Sequence, residues 1–371
     1  MTDELPSDRR RSLMVVAAIT AVAVAIAWFM RFGTDDAYIS FVYARSLVEG
    51  HGLTWFGAHV EGYTNFLWVL WSALGLEVGA DPLVWAWGAS LVALAATIII
   101  TYRIAALRST ALAGFTTIAV LATNFTFLAF GTSGLGTMLQ TALLAGVWFE
   151  VERMRRQRPN LEQVIVVATF ASLALWTGLD SAPVLAVLAV VAAHRLAKTD
   201  ASVRTWVGGA MPVLVLVGGW FLWKLSFYET ILPTTFRVTG DGTWFVVQFV
   251  SAYMLWPLLA GIALLAIMRR SLASALPLAM VAAHIAYVIA VGGDVLEFRS
   301  FVPILPPLAI ALAEFATTVA PRLARVQLRV AALIVFLAAF SLHHGLTFEG
   351  DWSKLGGSPR ALGDTGRAVV R

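Results

Sequence analysis

Two adjacent carboxylates, Asp35 and Asp36, directly follow an apolar stretch that is long enough to cross a membrane. Charged groups are costly next to lipid, so this pair needs a water-filled cavity, a cation or a basic partner. A carboxylate in such a place can act as a general base, or it can hold a divalent metal with water and phosphate as further ligands. The simpler interpretation is structural: Thr34, Asp35 or Asp36 caps an interfacial helix over Ala37–Glu49.

A metal site has weak support in the sequence. His51 and His59 lie in the same loop as the two acids, but no His or carboxylate follows them at a spacing typical of zinc ligands. Asp35 and Asp36 are therefore the only candidate metal ligands, for Mg²⁺ or Mn²⁺ if the reaction uses a divalent cation. No other cofactor is indicated.

The composition places these residues in a membrane protein. Of 371 residues, 59% are apolar and 13% are charged, with a mean hydropathy of +0.81. Soluble domains have roughly 45–50% apolar and 25% charged residues. The apolar residues extend from Leu13 to Leu342, which excludes an ordinary soluble enzyme and a soluble domain with one anchor. The basic residues form short clusters between apolar runs, so a nucleic-acid partner is not expected.

Segments long enough to cross the membrane set the expected fold. A crossing helix needs about 20 apolar residues. The sequence predicts eleven crossings, near 12–30, 82–102, 110–130, 137–152, 161–178, 181–197, 204–224, 244–267, 274–291, 302–319 and 327–343. The run Phe66–Gly79 is short and is expected to lie along the interface. The prediction is an all-α integral membrane bundle with interfacial helices in the first loop, residues 31–65.

The positive charges give the orientation, because cytoplasmic loops collect Lys and Arg. With Phe66–Gly79 at the interface, seventeen Lys and Arg residues fall on one side of the membrane and, up to Ser341, only five on the other. The N-terminus is therefore predicted in the cytoplasm and the C-terminus outside, in a multi-pass protein of the cytoplasmic (inner) membrane. Most carboxylates fall on the outer side, so an extracytoplasmic site built from helix ends is expected.

Several of these outer segments resemble a known family. Thr34–Leu47, Glu49–Leu53 and Val60–Trp68 resemble the first outer loop of bacterial membrane glycosyltransferases of the GT-C type, nearest to the mycobacterial terminal β-arabinofuranosyltransferases and their relatives. Shorter matches follow in the family's order. They are Ser133–Leu135, Leu232–Phe236, Gly292–Asp294 and Arg299–Pro303. The resemblance covers residues 30–343, which implies a GT-C-like transmembrane domain over 1–343 and a short extracytoplasmic tail over 344–371.

The resemblance implies an inverting sugar transfer at the outer face of the membrane. The donor would be a polyprenyl-phosphate sugar, with arabinofuranose or another pentose or hexose, and the acceptor an envelope glycan or lipid. Asp35 is the preferred base by motif position, with Asp36 as the alternative. Arg299 would face the lipid phosphate, and Arg237 is a second candidate. The other candidate substrate-binding residues are Tyr38, Arg45, His51, Glu61, Tyr63, Asn65, Asp180, Thr235 and Asp294.

Some positions depart from the family pattern. Gly136 stands where the family has Glu, and Gly178-Leu179 stand where it has Arg-Pro. These changes indicate a different donor or acceptor, or a catalytically inactive relative that acts as an envelope scaffold. The family's outer soluble domain is expected to be absent, so that either the acceptor is small or lipid-borne, or a partner supplies that domain. A transporter is the remaining alternative; it predicts acids at the membrane midplane, whereas these acids cluster at one surface.

Overall fold

The computed structural model describes residues 6–231, 233, 240–256, 259–260, 272–294, 296–319 and 344. The predicted all-α membrane fold is confirmed. The described helices are α1 (Pro6–Phe29), α2 (Asp35–Val48), α3 (Phe66–Glu77), α4 (Pro82–Arg108), α5 (Ala111–Thr123), α6 (Phe125–Ala129), α7 (Thr137–Arg156), α8 (Leu161–Thr177), α9 (Ala182–Lys198), α10 (Val203–Pro212), α11 (Gly219–Tyr228), α12 (Gly242–Ala252), α13 (Leu272–Val291) and α14 (Leu305–Val319). Within these ranges the one β-type pairing is the Trp55–Ala58 bridge.

Five stretches in the described part of the chain are long and apolar enough to cross a membrane, or six if the bent pair α5–α6 counts as one crossing. The five are Arg10–Phe29, Pro82–Arg108, Leu179–Lys198, Val203–Tyr228 and Arg299–Thr317. The first ten predicted crossings fall wholly or partly on described helices. The crossing expected at 327–343 and most of the tail expected at 344–371 lie outside the described residues.

Two of the predicted crossings are interrupted. The segment predicted at 110–130 bends by 69° between α5 and α6, where the side chain of Asn124 accepts a hydrogen bond from the Phe127 amide and so starts a new helix. The span Val203–Tyr228 contains a π-helical segment, Val213–Gly218, directly after Pro212. Proline removes one backbone donor, so the helix widens there.

The first loop folds as two helices joined by an irregular segment. The expected cap is present: Thr34 caps α2, and its side chain accepts a hydrogen bond from the Ala37 amide at 3.3 Å. Helix α3 has 12 residues, which is about 18 Å at 1.5 Å per residue and shorter than the hydrocarbon core of about 30 Å. This length agrees with the expectation that Phe66–Gly79 does not cross.

Helices α4 and α7 form the centre of the bundle. Helix α4 packs against α1, α5 and α7, and α7 packs against α8 and α9. The end of this core opposite the first loop is closed by a buried ion cluster. Arg108 donates to Glu152 at 2.5 Å and to Glu314 at 2.7 Å, which ties α4, α7 and α14 together.

Candidate functional site

A cavity of about 520 Å³ lies where the first loop meets the ends of several helices. Its described lining comes from residues within 36–40 and 62–65 of the first loop, 135–140 at the start of α7, 177–180 after α8, 287–300 around the end of α13, and from Pro233. Helices α7 and α8 run from this cavity to the basic loop 153–158. Six separate segments of sequence therefore meet in one space, and three of them contain acidic or basic residues: Asp36, Asp180, and Asp294 with Arg299.

Arg299 is the one basic residue among the described lining residues. Asp294 accepts from its Nε at 2.9 Å and from its Nη2 at 3.0 Å, and Asp36 accepts from its Nη1 at 3.1 Å. A guanidinium has five N–H donors. Three of them are used by the described residues, which leaves two for an anionic ligand. The two carboxylates hold the planar group in one orientation, as in other bidentate pairs.

A tight turn sets the position of Arg299. Phe298 has a φ of 50°, in the left-handed region that a bulky residue adopts at a cost on the order of 1–3 kcal/mol. Its ring packs 5.4 Å from that of Phe249 and 5.7 Å from that of Phe245, so burial of the aromatic side chain offsets this cost. The short 3₁₀ helix Arg299–Ile304 begins directly after this turn. The strained residue therefore directs Arg299 towards Asp294 and Asp36.

The structure separates the two adjacent acids of the first loop. Both lie in the first turn of α2, where the helix dipole favours negative charge. Asp36 lines the cavity and pairs with Arg299, while Asp35 is exposed and lies outside the described lining. The start of α2 is tied to the segment that precedes α7, because the Thr34 amide donates to the Ser133 carbonyl at 3.1 Å. The position of Asp36 thus depends on Ser133, in the segment between α6 and α7.

Three further residues of the first loop form one wall of the cavity. Ser40 and Asn65 are joined by hydrogen bonds of 3.0 and 3.1 Å between their side chains, and both line the cavity. Tyr63 lines it as well, and its hydroxyl lies 3.2 Å from that of Tyr228. Burial raises the pKa of the Tyr63 phenol, so it remains protonated and can donate a hydrogen bond. This wall is therefore polar but uncharged.

Glu61 does not line the cavity in the described part of the structure. Its carboxylate lies 2.9 Å from the Lys224 ammonium, and both side chains are buried, with exposures of 1% and 0%. Burial raises the pKa of the Glu61 carboxyl, and the Lys224 ammonium acts in the opposite direction. The pair joins the first loop to α11. Its place in the fold is that of an anchor for the loop that carries Tyr63 and Asn65.

Other predicted binding residues also lie outside the described lining. Tyr38 is buried against Phe41 with ring centroids 5.5 Å apart, and Arg45 pairs with Glu49 at 2.7 Å on the surface. His51 is exposed, with its Nδ1 3.8 Å from Glu49. Thr235 and Arg237 lie outside the described residues.

Asp180 and Asp294 line the cavity, together with two neighbours that no sequence motif indicated. Gln140 on α7 donates through its amide nitrogen to Asp180 at 2.6 Å. Tyr287 on α13 lines the same space. The only signal for Gln140 is a lone amide in an apolar helix, four residues after Gly136. That pattern is also common for helix residues with no ligand.

The described residues contain no group of three or more His, Cys, Asp or Glu side chains arranged to hold a metal. Asp36 has Arg299 as its basic partner. Such a partner is one of the three ways in which a carboxylate pair near lipid can be accommodated.

No family model and no curated protein matches the sequence. Solved structures do match. One is ArnT from Cupriavidus metallidurans bound to undecaprenyl phosphate, at a TM-score of 0.62 and 14% identity, covering 96% of this chain and 75% of that one. The apo state of the same protein matches with a TM-score of 0.60.

Two more distant structures have the same architecture. The oligosaccharyltransferase of Archaeoglobus fulgidus matches at a TM-score of 0.55 and 13% identity over 94% of this chain, which spans 54% of that protein. The arabinosyltransferase EmbB of Mycobacterium smegmatis matches at 0.52 and 13% identity over 100% of this chain, which spans 41% of that protein. At these identities the likeness is one of fold. This chain has the GT-C fold of multi-pass membrane glycosyltransferases.

Proposed function

We propose that this chain transfers a sugar from a polyprenyl-phosphate donor to a hydroxyl of an envelope glycan or lipid. The observation that carries the proposal is Arg299, which is held by Asp294 and Asp36 inside a cavity of the GT-C fold and keeps two N–H donors for an anion. ArnT, which has the same fold, has been solved with undecaprenyl phosphate. A cavity of about 520 Å³ has the size of typical small-molecule sites.

The reaction requires one base and one group that stabilises the leaving phosphate. The acceptor oxygen attacks the anomeric carbon, and the bond from that carbon to the phosphate oxygen breaks, with inversion. The acceptor proton passes to a carboxylate, and the polyprenyl phosphate leaves with the bonding electrons. The free N–H donors of Arg299 bind the phosphate oxygens, whose charge increases as the bond breaks.

Asp36 is the carboxylate that we assign as the base. Its Oδ2 accepts from Arg299 and its Oδ1 has no partner among the described residues, so Oδ1 is free to take the acceptor proton. From the sequence, Asp35 is the preferred base, and that preference stays a prediction. The position of Asp36 in the cavity lining supports Asp36 rather than Asp35 as the base, since a base must reach the attacking hydroxyl.

We further propose that the cavity faces the outside of the cytoplasmic membrane. Helix α7 starts at the cavity and ends 20 residues later at Arg153, Arg155 and Arg156. Twenty residues of helix extend about 30 Å, so these arginines lie at the opposite membrane surface. Basic loops are typical of the cytoplasmic side. Nucleotide-sugar donors are confined to the cytoplasm, so an outer site requires a lipid-linked donor.

The experiment uses purified full-length protein in lipid vesicles with polyprenyl-phosphate sugars, arabinofuranose first and then mannose, glucose and galactose, and with generic hydroxyl acceptors. Asp36→Asn and Asp35→Asn form a matched pair, since both variants remove one charge from the first turn of α2. We expect Asp36→Asn to reduce turnover by 10²-fold or more, in the range typical of general-base catalysis, and Asp35→Asn to reduce it less. If Asp35→Asn reduces turnover more than Asp36→Asn does, the base is Asp35.

Wild-type protein that binds donors but never turns over would point to a missing acceptor or partner. Absence of both turnover and donor binding would favour the catalytically inactive scaffold. Wild-type protein that binds no polyprenyl phosphate would refute the proposed function. The measurement that separates these outcomes is donor binding, made on the same vesicles as the turnover assay.

A further inference from the structure

Beside the Arg299 cluster, the cavity contains a second polar pair that plays no part in the chemistry described above. Gln140 lies on α7 and is buried, with 4% of its surface exposed, and Asp180 lies in the turn after α8. The Gln140 amide nitrogen donates to Asp180 Oδ1 at 2.6 Å and to Ser181 Oγ at 2.9 Å. Ser181 Oγ in turn donates to the Ala174 carbonyl at 3.1 Å. The amide is therefore fixed at the end of a chain of hydrogen bonds.

This network decides which atoms of the pair remain available to a ligand. An amide nitrogen has two hydrogens, and both are used by protein acceptors. The Gln140 amide oxygen and Asp180 Oδ2 have no hydrogen-bond partner in the part of the chain that the structure describes, and both residues line the cavity. Two neighbouring acceptors match a ligand that presents two neighbouring donors. Adjacent hydroxyls of a sugar ring are such donors.

Gly178 is the residue that makes this pair possible. Its φ is −178°, an extended conformation open to any residue, so backbone geometry does not require glycine. The limit is the space around the residue, because a Cβ at this position would overlap Asp180 Oδ1 and lie 2.9 Å from Gln140 Nε2. A side chain at 178 would therefore force the contacting ends of Gln140 and Asp180 to move. Gly136, one turn before Gln140, also borders the cavity, and a Cβ there would lie 3.1 Å from Trp68.

We propose that Gln140 and Asp180 form the sugar-recognition part of the site, with Gly178 as the residue that preserves it. The inference rests on the proposed function and adds the group that distinguishes a sugar-bearing lipid from a bare lipid phosphate. The acceptor pair binds two ring hydroxyls, while Arg299 binds the phosphate. Gln140 is a specificity-determining residue, since it has no role in moving the proton or stabilising the leaving group. A site built to hydrogen-bond hydroxyls discriminates strongly against ligands that lack them.

The test compares binding of two classes of lipid to full-length protein in nanodiscs. The probes are bare polyprenyl phosphate and the four polyprenyl-phosphate sugars of the turnover panel. Gln140→Met keeps the length of the side chain and removes its hydrogen bonds. We expect this variant to lose on the order of tenfold in affinity for the preferred sugar lipid, which corresponds to the loss of a hydrogen bond of about 1.4 kcal/mol. Its affinity for bare polyprenyl phosphate stays within twofold of wild type.

Gly178→Ala supplies an independent variant, because it displaces the pair without changing either member. Its matched control is Gly88→Ala on α4, where a Cβ would meet no atom within 4 Å. We expect Gly178→Ala to lower sugar-lipid affinity selectively and Gly88→Ala to change neither affinity. If Gln140→Met weakens both lipid classes equally, or neither, the inference is wrong while the proposed function stands. If wild type binds none of the five lipids, the proposed function fails and the inference with it.

Discussion

The Glu61–Lys224 pair allows a quantitative test of how the first loop is anchored. Both side chains are buried, with the ammonium 2.9 Å from the carboxylate and 4.8 Å from the ring centroid of Trp220. Removing one partner of such a pair leaves an uncompensated buried charge and costs about 3–5 kcal/mol. Unfolding entropy is about 2.1 cal/mol/K per residue, which gives about 0.8 kcal/mol/K for 371 residues. Glu61→Met should therefore lower the Tm by about 4–6 °C.

The assay is thermal unfolding of full-length protein in nanodiscs, monitored as the fraction of the protein that remains monodisperse at each temperature. Glu49→Met is the matched control in the same loop, because Glu49 pairs with Arg45 on the surface, with exposures of 45% and 38%. Exposed pairs contribute about 0–1 kcal/mol, so its Tm should fall by about 1 °C or less. The double variant Glu61→Met/Lys224→Met leaves no unpaired charge and should recover most of the loss. Equal effects of Glu61→Met and Glu49→Met would refute the reasoning.

The single variant Lys224→Met adds a pH dependence with a defined sign. It removes the cation that opposes the raised pKa of Glu61, so the pKa of that carboxyl rises further above its ordinary value of 4.5. A folded state that retains a proton which the unfolded state releases loses stability as pH increases. The Tm of Lys224→Met relative to wild type should therefore fall as the pH is raised from about 5 to 8. If the Tm difference between Lys224→Met and wild type does not change with pH, Glu61 does not stay buried when Lys224 is absent.

Two further predictions test the packing around the cavity and the anion site within it. Gly242→Ala places a Cβ 2.6 Å from the carbonyl oxygens of Val288 and Ile289. Because these are backbone atoms, α12 and α13 must separate to admit the Cβ. The Tm of Gly242→Ala should therefore lie well below that of Gly88→Ala. Equal Tm values would contradict the close approach. Arg299→Lys keeps the charge but loses the bidentate contact with Asp294, so affinity for bare polyprenyl phosphate should fall about tenfold or more. Unchanged affinity would remove Arg299 from the phosphate site.

The sequence was most informative about features that residue type and order along the chain determine by themselves. Hydropathy predicted the helical membrane fold, and the short motifs contain Asp36 and Asp294, whose carboxylates lie within 3.1 Å of the Arg299 guanidinium. Asp36 and Arg299 are 263 positions apart, so the spacing of residues alone does not predict their contact. The family resemblance named both segments as parts of the outer site, but it did not predict that Asp36 and Arg299 pair.

Other features depend on contacts that sequence patterns do not encode. Glu61 has the appearance of a binding residue in a polar loop, but its partner Lys224 is fixed only by the packing of α11 against that loop. Gln140 has no motif around it. The separation of Asp35 from Asp36 follows from the 100° rotation between neighbouring helix residues. Adjacent acids at a helix start point in different directions, and their type does not show which one enters the cavity.

The long-range pairing of Arg299 has a consequence for biosynthesis. The chain is made from its N-terminus, and Asp36, Tyr63, Gln140 and Asp180 are all inserted before Arg299 leaves the ribosome. Until then Asp36 lacks its basic partner, and one wall of the cavity is missing. The site is therefore completed last, when the turn at Phe298 forms and α14 packs against α5. Chains that end before Arg299 contain Asp36, Gln140 and Asp180 but lack the guanidinium on which the proposed anion site depends.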